Sequence, residues 1–519
     1  MYKGKKSLTS RITIRFNARG AMFLLIAMLV AYGCIWSFIG LTKILALHAY
    51  VYDLGISAER GWEILHVNLG AEGYFRTFLN SGVVFPLSPL TGSGNFFAMV
   101  TFQAFSIAAV GPALYLISKS KGLSKGTSFL VGAAFFLYFP VYGIMWFDFH
   151  YQAFFLPLFI FGYLAYVKGH NRSAFLLFLL SGMVRFPYSV FPLSFALIEL
   201  YVILRPRNGK EKDGRVAPLV ALSIIMAVIT ILGSIYFGLF QAVPGTSRVV
   251  LPTLSEPFYQ RIAVIALFLG PLLFLPLLSH RWLILALPAF YLILTSSYTG
   301  YSYQHIFQGQ YVSGIAPFLL LGSIDSLAYI RKKKDNWNLQ SLRKLPLGTM
   351  SNSYKLAISS VIVLILLNVV FAPFGPLNAN SGEGFNFHVN TSYSLSQYNE
   401  LNSMISLIPN NQSYVAYQNN IPEIMPKALP LNNSAILVGG MWGLSGISLA
   451  DAINNSWPVL LKGHVEYVPI NFAIADTGNP NYYLGNNSMA SLIHAMISSG
   501  RYGIRSEGYG LILLQRGYI

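Results

Sequence analysis

The chain is predicted to be a polytopic all-α membrane protein of about 11 transmembrane helices, N-terminus inside and C-terminus outside, with a small C-terminal extracytoplasmic α/β domain. Three observations predict this. Of 519 residues, 54% are hydrophobic and 10% charged, with mean hydropathy +0.54, whereas soluble chains carry about a quarter charged residues. Apolar runs of bilayer length recur between short basic turns. The charge is also lopsided: Lys and Arg number 30 against 11 acids over residues 1–375, but 5 against 7 over 376–519. The positive excess therefore belongs to the membrane half, where it marks the cytoplasmic side. It is not the footprint of a nucleic-acid partner, and no basic amphipathic helix for one is present. Cys34 is the single cysteine, which excludes a disulfide framework and any CxxC metal or redox motif.

Residues 1–20 hold Lys3, Lys5, Lys6, Arg11, Arg15 and Arg19 and no acid, a basic cytoplasmic start. The apolar run from Ala21 to about Thr42 is too long for a signal peptide and reads as the first span. An outer loop, 43–95, follows. Spans are then expected at 96–118, 127–147 and 151–167, separated by the basic group Lys119, Lys121 and Lys125 and by the outer junction Asp148-Phe149-His150. After the basic turn Lys168 to Arg172, an apolar stretch of only 12 residues, 173–184, runs into Arg185-Phe186-Pro187, and 188–204 leads back. Twelve helical residues cover about 18 Å, short of the roughly 30 Å hydrocarbon core. Arg185 is accordingly expected below the outer surface, at a broken helix lining a cavity. Further spans are expected at 217–240, 262–278, 282–296, 312–330 and about 354–374. The basic groups Arg205 to Arg215, His280-Arg281 and Arg331-Lys332-Lys333-Lys334 then all fall on one side, completing a membrane domain over 21–375.

Beyond Pro376 the composition turns to Asn, Ser and Gly. Short β-like runs (Tyr414 to Tyr417, Ala435 to Gly439, Tyr467 to Ala473, Leu511 to Gln515) alternate with helical ones such as Met489 to Ser498, giving an α/β domain over 376–519. It carries five Asn-x-Ser/Thr sequons, at Asn390, Asn411, Asn432, Asn454 and Asn486, against one elsewhere, Asn171. This is the pattern of an exported domain bearing N-linked glycans, and without disulfides it would suit an archaeal cell surface.

No phosphate-binding GxxxxGK[ST], HExxH, GxSxG or EF-hand pattern occurs, so the soluble-enzyme signatures are excluded. What remains is a polar set on the predicted outer face: Asp53, Glu59, Arg60, Glu63, Asp148, His150, Arg185, His305 and Gln310. Acids fixed where a chain leaves the bilayer are costly unless they face a wet cavity. Carboxylates with histidine could hold a divalent cation, with Asp53, Asp148 and His150 as the ligands, or one carboxylate could act as general base. An arginine at the boundary suits phosphate. The plainer readings are that Asp148 and His150 cap a helix junction, that His305 is an interfacial side chain, and that Arg185 snorkels as an anchor.

Four segments together resemble a known family. They are Tyr52-Asp53-Leu54-Gly55-Ile56, Phe149-His150 with Pro157 behind it, Gln310-Tyr311 leading to Ala316-Pro317-Phe318, and Tyr502-Gly503-Ile504 through Gly510-Leu511-Ile512-Leu513-Leu514-Gln515-Arg516. In order and spacing they are similar to the predicted prokaryotic membrane proteins called domain of unknown function 2079, grouped with the GT-C glycosyltransferases. The family often has Lys-Glu where this chain has Arg185-Phe186, and His where it has Gln310, so here the positive charge is kept and an acid lost. The resemblance implies a GT-C-like fold and a polyprenyl (dolichyl) phosphate-linked sugar donor used at the outer side of the plasma membrane. By position it also implies Asp53 and Asp148 as catalytic acids; from the polar set, Glu59 is expected beside them, with Arg185, Arg60, His150, His305, Gln310 and Tyr311 as substrate-binding residues. The expected function is transfer of a sugar to a cell-surface acceptor. A transporter or flippase of lipid-linked or anionic substrates, or a non-catalytic protein displaying a glycosylated domain, would use the same topology without bond chemistry.

Overall fold

A computed structural model describes residues 18–46, 54–66, 68–146, 148–204, 214–237, 258–295, 310–333, 351–371, 395–409, 414–417, 436–438, 457–461, 464–468, 471–477 and 489–518. Four helices among them are long and apolar enough to cross a membrane: α1 (Ala18–Leu45), the nearly continuous pair α5 (Phe96–Ala108) and α6 (Val110–Ser120), α12 (Val216–Tyr236) and α16 (Asn352–Phe371). A fifth span is bent. α7 (Lys125–Leu137) and the Phe139–Trp146 segment that ends in α8 (Tyr142–Trp146) meet at 46°, because Pro140 at the joint has no N–H to continue the ladder.

The other expected spans are shorter helices. α9 (Phe155–Val167), α10 (Asn171–Gly182), α11 (Val190–Leu204), α13 (Phe258–Leu269), α14 (His280–Thr295) and α15 (Ala316–Lys332) each fall below full span length. Prolines account for much of this. Beyond α13, Pro271 and Pro276 open two 3-10 turns, with Leu273 and Phe274 in left-handed conformation between them. Pro288 lies inside α14. Among the described residues, the stretches expected to make about 11 spans are thus a mixture of full-length helices and shorter ones, some of them broken by 3-10 turns. One irregularity is as expected: residues 183–189 interrupt the helix between α10 and α11.

The outer segment 43–95 is corrected more strongly. It is not a loop. α1 runs on to Leu45, and α2 (Ile56–His66), α3 (Gly70–Ser81) and α4 (Val84–Thr91) fold behind it. α2 lies directly on α4. A Cβ on Gly61 would sit 2.0 Å from Thr91 Oγ1 and 2.6 Å from the Gly92 amide, so only glycine permits this crossing.

The bundle core is aromatic. Phe155, Phe159, Phe178, Phe195, Trp282 and Phe318 come from five helices, with Phe159 and Phe318 centroids 5.0 Å apart and Phe178 and Phe195 4.6 Å apart. Large apolar side chains such as Phe23 (74% exposed) and Ile224 (59%) point outward, the surface expected to meet lipid.

The ends of the bundle differ. At one end the basic turns meet: Lys121 pairs with Asp325 at 2.8 Å, Trp282 Nε1 donates to the same carboxylate at 2.7 Å, and Arg281 pairs with Glu199, which accepts from Tyr166 Oη at 2.6 Å. Arg215 Nη1 reaches Tyr166 Oη at 3.4 Å. Groups that the charge pattern assigned to a single side do come together in space.

The C-terminal stretch contains a five-stranded mixed sheet ordered β2 (Ile436–Val438), β1 (Tyr414–Tyr417), β5 (Phe472–Asp476), β7 (Leu511–Arg516), β6 (Tyr502–Gly508), beside a hairpin of β3 (Trp457–Leu461) and β4 (His464–Val468). β1 pairs in parallel with β2 and β5; β7 is antiparallel to β5 and β6. Leu511 to Leu514 are buried on both faces, as a central strand requires. Tyr509 and Gly510, both at positive φ, make the two-residue turn between β6 and β7. α17 (Leu395–Ser406) and α18 (Met489–Ser498) pack on the sheet. The expected run Tyr467 to Ala473 belongs to two strands, since Pro469 within it cannot donate to a ladder. The five sequon asparagines, Asn390, Asn411, Asn432, Asn454 and Asn486, lie outside the described residues. Tyr398 of α17 meets Phe97 of α5, ring centroids 6.5 Å apart, which puts this helix at the end of the bundle opposite the basic turns.

Candidate functional site

The non-basic end of the bundle is organised by a cation that sequence reasoning passed over. Lys43 lies in the last turn of α1 because the helix continues past the run that defines the span. Its Nζ reaches Asp148 Oδ1 at 2.7 Å, donates to the Trp146 carbonyl at 2.9 Å, and stands 5.2 Å from the centroid of the Trp146 ring. Both charged side chains are buried, 9% and 4% exposed. Neither charge would be tolerated there alone, so each fixes the other. Asp148 is therefore held by an ammonium group, and among the described residues no three His, Cys, Asp or Glu side chains gather as metal ligands. The expected metal set was Asp53, Asp148 and His150, of which Asp53 lies outside the described residues.

His150 is buried beside the pair. Its Nδ1 lies 2.9 Å from the Asp148 carbonyl, and its backbone N–H donates to Gln103 Oε1 at 2.8 Å, while Gln103 Nε2 donates to the Ile144 carbonyl at 3.0 Å. Gln103, on α5, thus clamps both sides of the α8 to α9 junction. Two residues on, Gln152 is buried and its amide oxygen has no hydrogen-bond partner. Such an acceptor is costly in an apolar interior. Tyr151 reaches across to α2 and α4, its hydroxyl donating to the Ser57 carbonyl at 2.8 Å and lying 3.4 Å from Thr91 Oγ1.

Arg60 and Glu63, on α2, are within electrostatic reach of the Tyr151 hydroxyl. Burial pushes the Glu63 carboxyl up to about 7, against the opposing pull of Arg60. A carboxyl titrating near neutrality can hold or release a proton at working pH. Glu63 belonged to the polar set read from sequence, but nothing in the sequence distinguished it from Glu59, whose side chain lies outside the described residues.

The remaining candidates arrive by backbone. The 183–186 turn is bonded to the α3–α4 junction: Phe186 N–H donates to the Asn80 carbonyl at 2.7 Å, Ser81 Oγ to the Val184 carbonyl at 2.6 Å, and Val83 N–H to the Met183 carbonyl at 3.1 Å. Arg185 is exposed on this turn. Tyr188 carries the connection on, its hydroxyl 3.1 Å from Ser313 Oγ in the 3-10 helix Gln310–Gly314. That helix packs against α8 and against the 3-10 turn Tyr151–Phe154, and Tyr311 is partly exposed on it. The Gln310 side chain and His305 lie outside the described residues. One end of the bundle therefore gathers Lys43, Arg60, Glu63, Asp148, His150, Gln152, Arg185 and Tyr311.

The sequence model of a family described as predicted membrane protein (DUF2079) matches residues 83–513, most of the chain. The chain belongs to that family. Membership makes it a membrane protein and carries no stated activity. No curated protein matches the chain. Among solved structures it is similar to ArnT from Cupriavidus metallidurans, solved bound to undecaprenyl phosphate, with 11% identity, 96% of this chain and 98% of that one covered, and a TM-score of 0.43. A likeness at that score carries no inference about fold or chemistry. As a DUF2079 member, the chain has two of the segments that carry the family resemblance, Phe149-His150 and Gln310-Tyr311, in adjoining elements at the candidate site.

Proposed function

We propose that this chain is a GT-C-like membrane glycosyltransferase that moves a sugar from a polyprenyl (dolichyl) phosphate donor to an acceptor on the outer side of the plasma membrane. The observation that carries the reading is the polar cluster at the non-basic end, where charged and amide groups are buried in an otherwise apolar bundle. Charged groups in that setting mark a substrate path. In the proposed reaction the acceptor hydroxyl attacks the anomeric carbon, the bond from that carbon to the phosphate oxygen breaks, and the acceptor proton passes to a carboxylate. Asp53 is assigned as that base, with Glu59 as a second acid and Glu63 as the carboxyl poised near neutrality to share the proton. Arg185, exposed on its turn, and Arg60 receive the departing phosphate. Asp148, held by Lys43, positions His150 and Gln152, whose free acceptor takes a sugar hydroxyl; His305, Gln310 and Tyr311 complete the substrate-binding set. The C-terminal sheet and its sequons are assigned to the outer face.

The test uses the full chain in detergent with a polyprenyl phosphate as probe. Binding is expected to weaken at least tenfold in Arg185→Gln and to be unchanged in Asp53→Asn, while Asp53→Asn abolishes sugar release from a polyprenyl-phosphate sugar donor. Equal lipid binding by wild type and Arg185→Gln, or full turnover by Asp53→Asn, would overturn the proposal. Vesicle uptake of the lipid with no bond cleavage would favour a flippase in its place.

A further inference from the structure

One helix at the non-basic end, α3, contributes no side chain to the polar cluster. It is set off from α2 by Gly70, whose φ of 66° suits glycine and whose N–H donates to Asn68 Oδ1 at 3.1 Å. Its 12 residues cover about 18 Å, too little to cross the roughly 30 Å hydrocarbon core. The sides of the helix differ. Glu72 and Arg76, four positions apart and so on one face, are exposed. Phe75 and Phe78, three positions apart on another face, are 43% and 37% exposed. Phe75 meets the ring of Tyr236 edge-on, centroids 6.3 Å apart. Tyr236 is the last residue of α12, which starts behind Arg215 at the basic end; 21 helical residues rise about 32 Å, so Tyr236 marks the far boundary of the hydrocarbon. The aromatic run goes on from Tyr236 to Phe237 at 5.3 Å and from Phe237 to Phe186 at 5.4 Å. Phe186 in turn lies flush on α12, where a Cβ on Gly233 would stand 2.6 Å from its ring.

We propose that α3 lies in the plane of the membrane, with Phe75 and Phe78 inserted into the leaflet at the non-basic end and Glu72 and Arg76 in its headgroup layer. The lipid-facing surface of a spanning helix runs directly onto it. Ile231, Ile235 and Tyr236 are exposed along α12, and Phe75 begins where they end, so a bilayer that covers α12 also reaches the aromatic side of α3. Tyrosine at such a boundary is an ordinary interfacial anchor. A helix too short to span, with one charged and one aromatic side, is of the kind that rests in the interface with its apolar face sunk about 5–10 Å. The partner of this surface is therefore the bilayer. The run from Phe75 to Phe186 also ties the turn that bears Arg185 to the same depth, whether or not the chain transfers sugar.

Nitroxide labels on the full chain, in vesicles of phosphatidylcholine and phosphatidylglycerol, read the depth of each position. With Cys34→Ala as background, Phe75→Cys, Phe78→Cys and Glu72→Cys are labelled one at a time. Collision with oxygen, which concentrates in lipid, is compared with collision with a nickel chelate, which stays in water. Oxygen is expected to exceed nickel several-fold at positions 75 and 78, and nickel to exceed oxygen at 72. Phe78→Cys decides the matter if Phe75→Cys, which gives up the contact with Tyr236, does not fold. Nickel in excess at 75 and 78 overturns the proposal, since α3 then stands in solvent. Low collision with both reagents at these positions overturns it as well, because the face is then covered by protein, either the C-terminal stretch or a second copy of the chain.

Discussion

Replacing Lys43 with methionine keeps the length of the side chain and removes its charge. The structure then leaves Asp148, 4% exposed, without the Nζ that sits 2.7 Å away. At an effective dielectric of about 20, two unit charges 4 Å apart attract by roughly 4 kcal/mol, and breaking a buried pair by removing one member costs about 3–5 kcal/mol. The Trp146 carbonyl also loses its donor at 2.9 Å, at about 1 kcal/mol. Lys43→Met should therefore destabilise the detergent-purified protein by about 3–5 kcal/mol, as should Asp148→Asn, which takes the paired carboxylate away from Lys43. The double variant should be more stable than either single one, since two neutral partners need no counter-charge. Thermal or SDS titration of the four proteins gives the coupling energy, with at least about 2 kcal/mol expected. Additive losses, or a Lys43→Met protein as stable as wild type, would refute the account of the site as built on this pair.

Two further outcomes concern α2. Because burial raises the Glu63 carboxyl from 4.5 to about 7, the folded protein holds a proton there that the unfolded chain has lost. Stability should therefore fall as pH rises from about 4.5 through 7, and Glu63→Gln should flatten that slope, matching wild type near pH 5 and exceeding it at pH 8 in thermal unfolding. Gly61→Leu should lift α2 off α4, since its Cβ would meet Thr91 and the Gly92 backbone. A loss of about 1–3 kcal/mol or more is expected, with a shift in the emission of the neighbouring Trp62 as the local readout.

How far the sequence could be read depended on which force set each feature. Membrane class follows from composition, and the charge pattern's placing of Lys121 and Arg281 on a common side agrees with their pairing with Asp325 and Glu199 at one end of the bundle. The interruption at 183–189 was legible because 12 apolar residues cannot span. Helix lengths elsewhere were not, because apolarity does not register a proline such as Pro140 or Pro276 until the chain must bend around it. Residues 43–95 looked like a loop because their helices are short and mixed in polarity, and their order comes from packing of α2 on α4. The same misreading hid Lys43, which ranks as a loop cation until α1 is seen to continue beneath it. Gln103 and Gln152 were hidden for another reason: an amide within or beside an apolar run carries no periodic signal, and its partner is known only in three dimensions.

The Lys43 to Asp148 pair has a consequence for the order in which the protein is made. The two residues are 105 positions apart, so the first span leaves the ribosome carrying a cation whose partner has not been synthesised. Until α7 and α8 have inserted, the end of α1 must stay in contact with water or headgroups, because an unpaired ammonium group is not tolerated in an apolar bundle. Closure of the non-basic end therefore waits until the chain has been made as far as Asp148. The ion pair acts as a checkpoint in assembly: a chain stalled or misinserted before Asp148 keeps this end open.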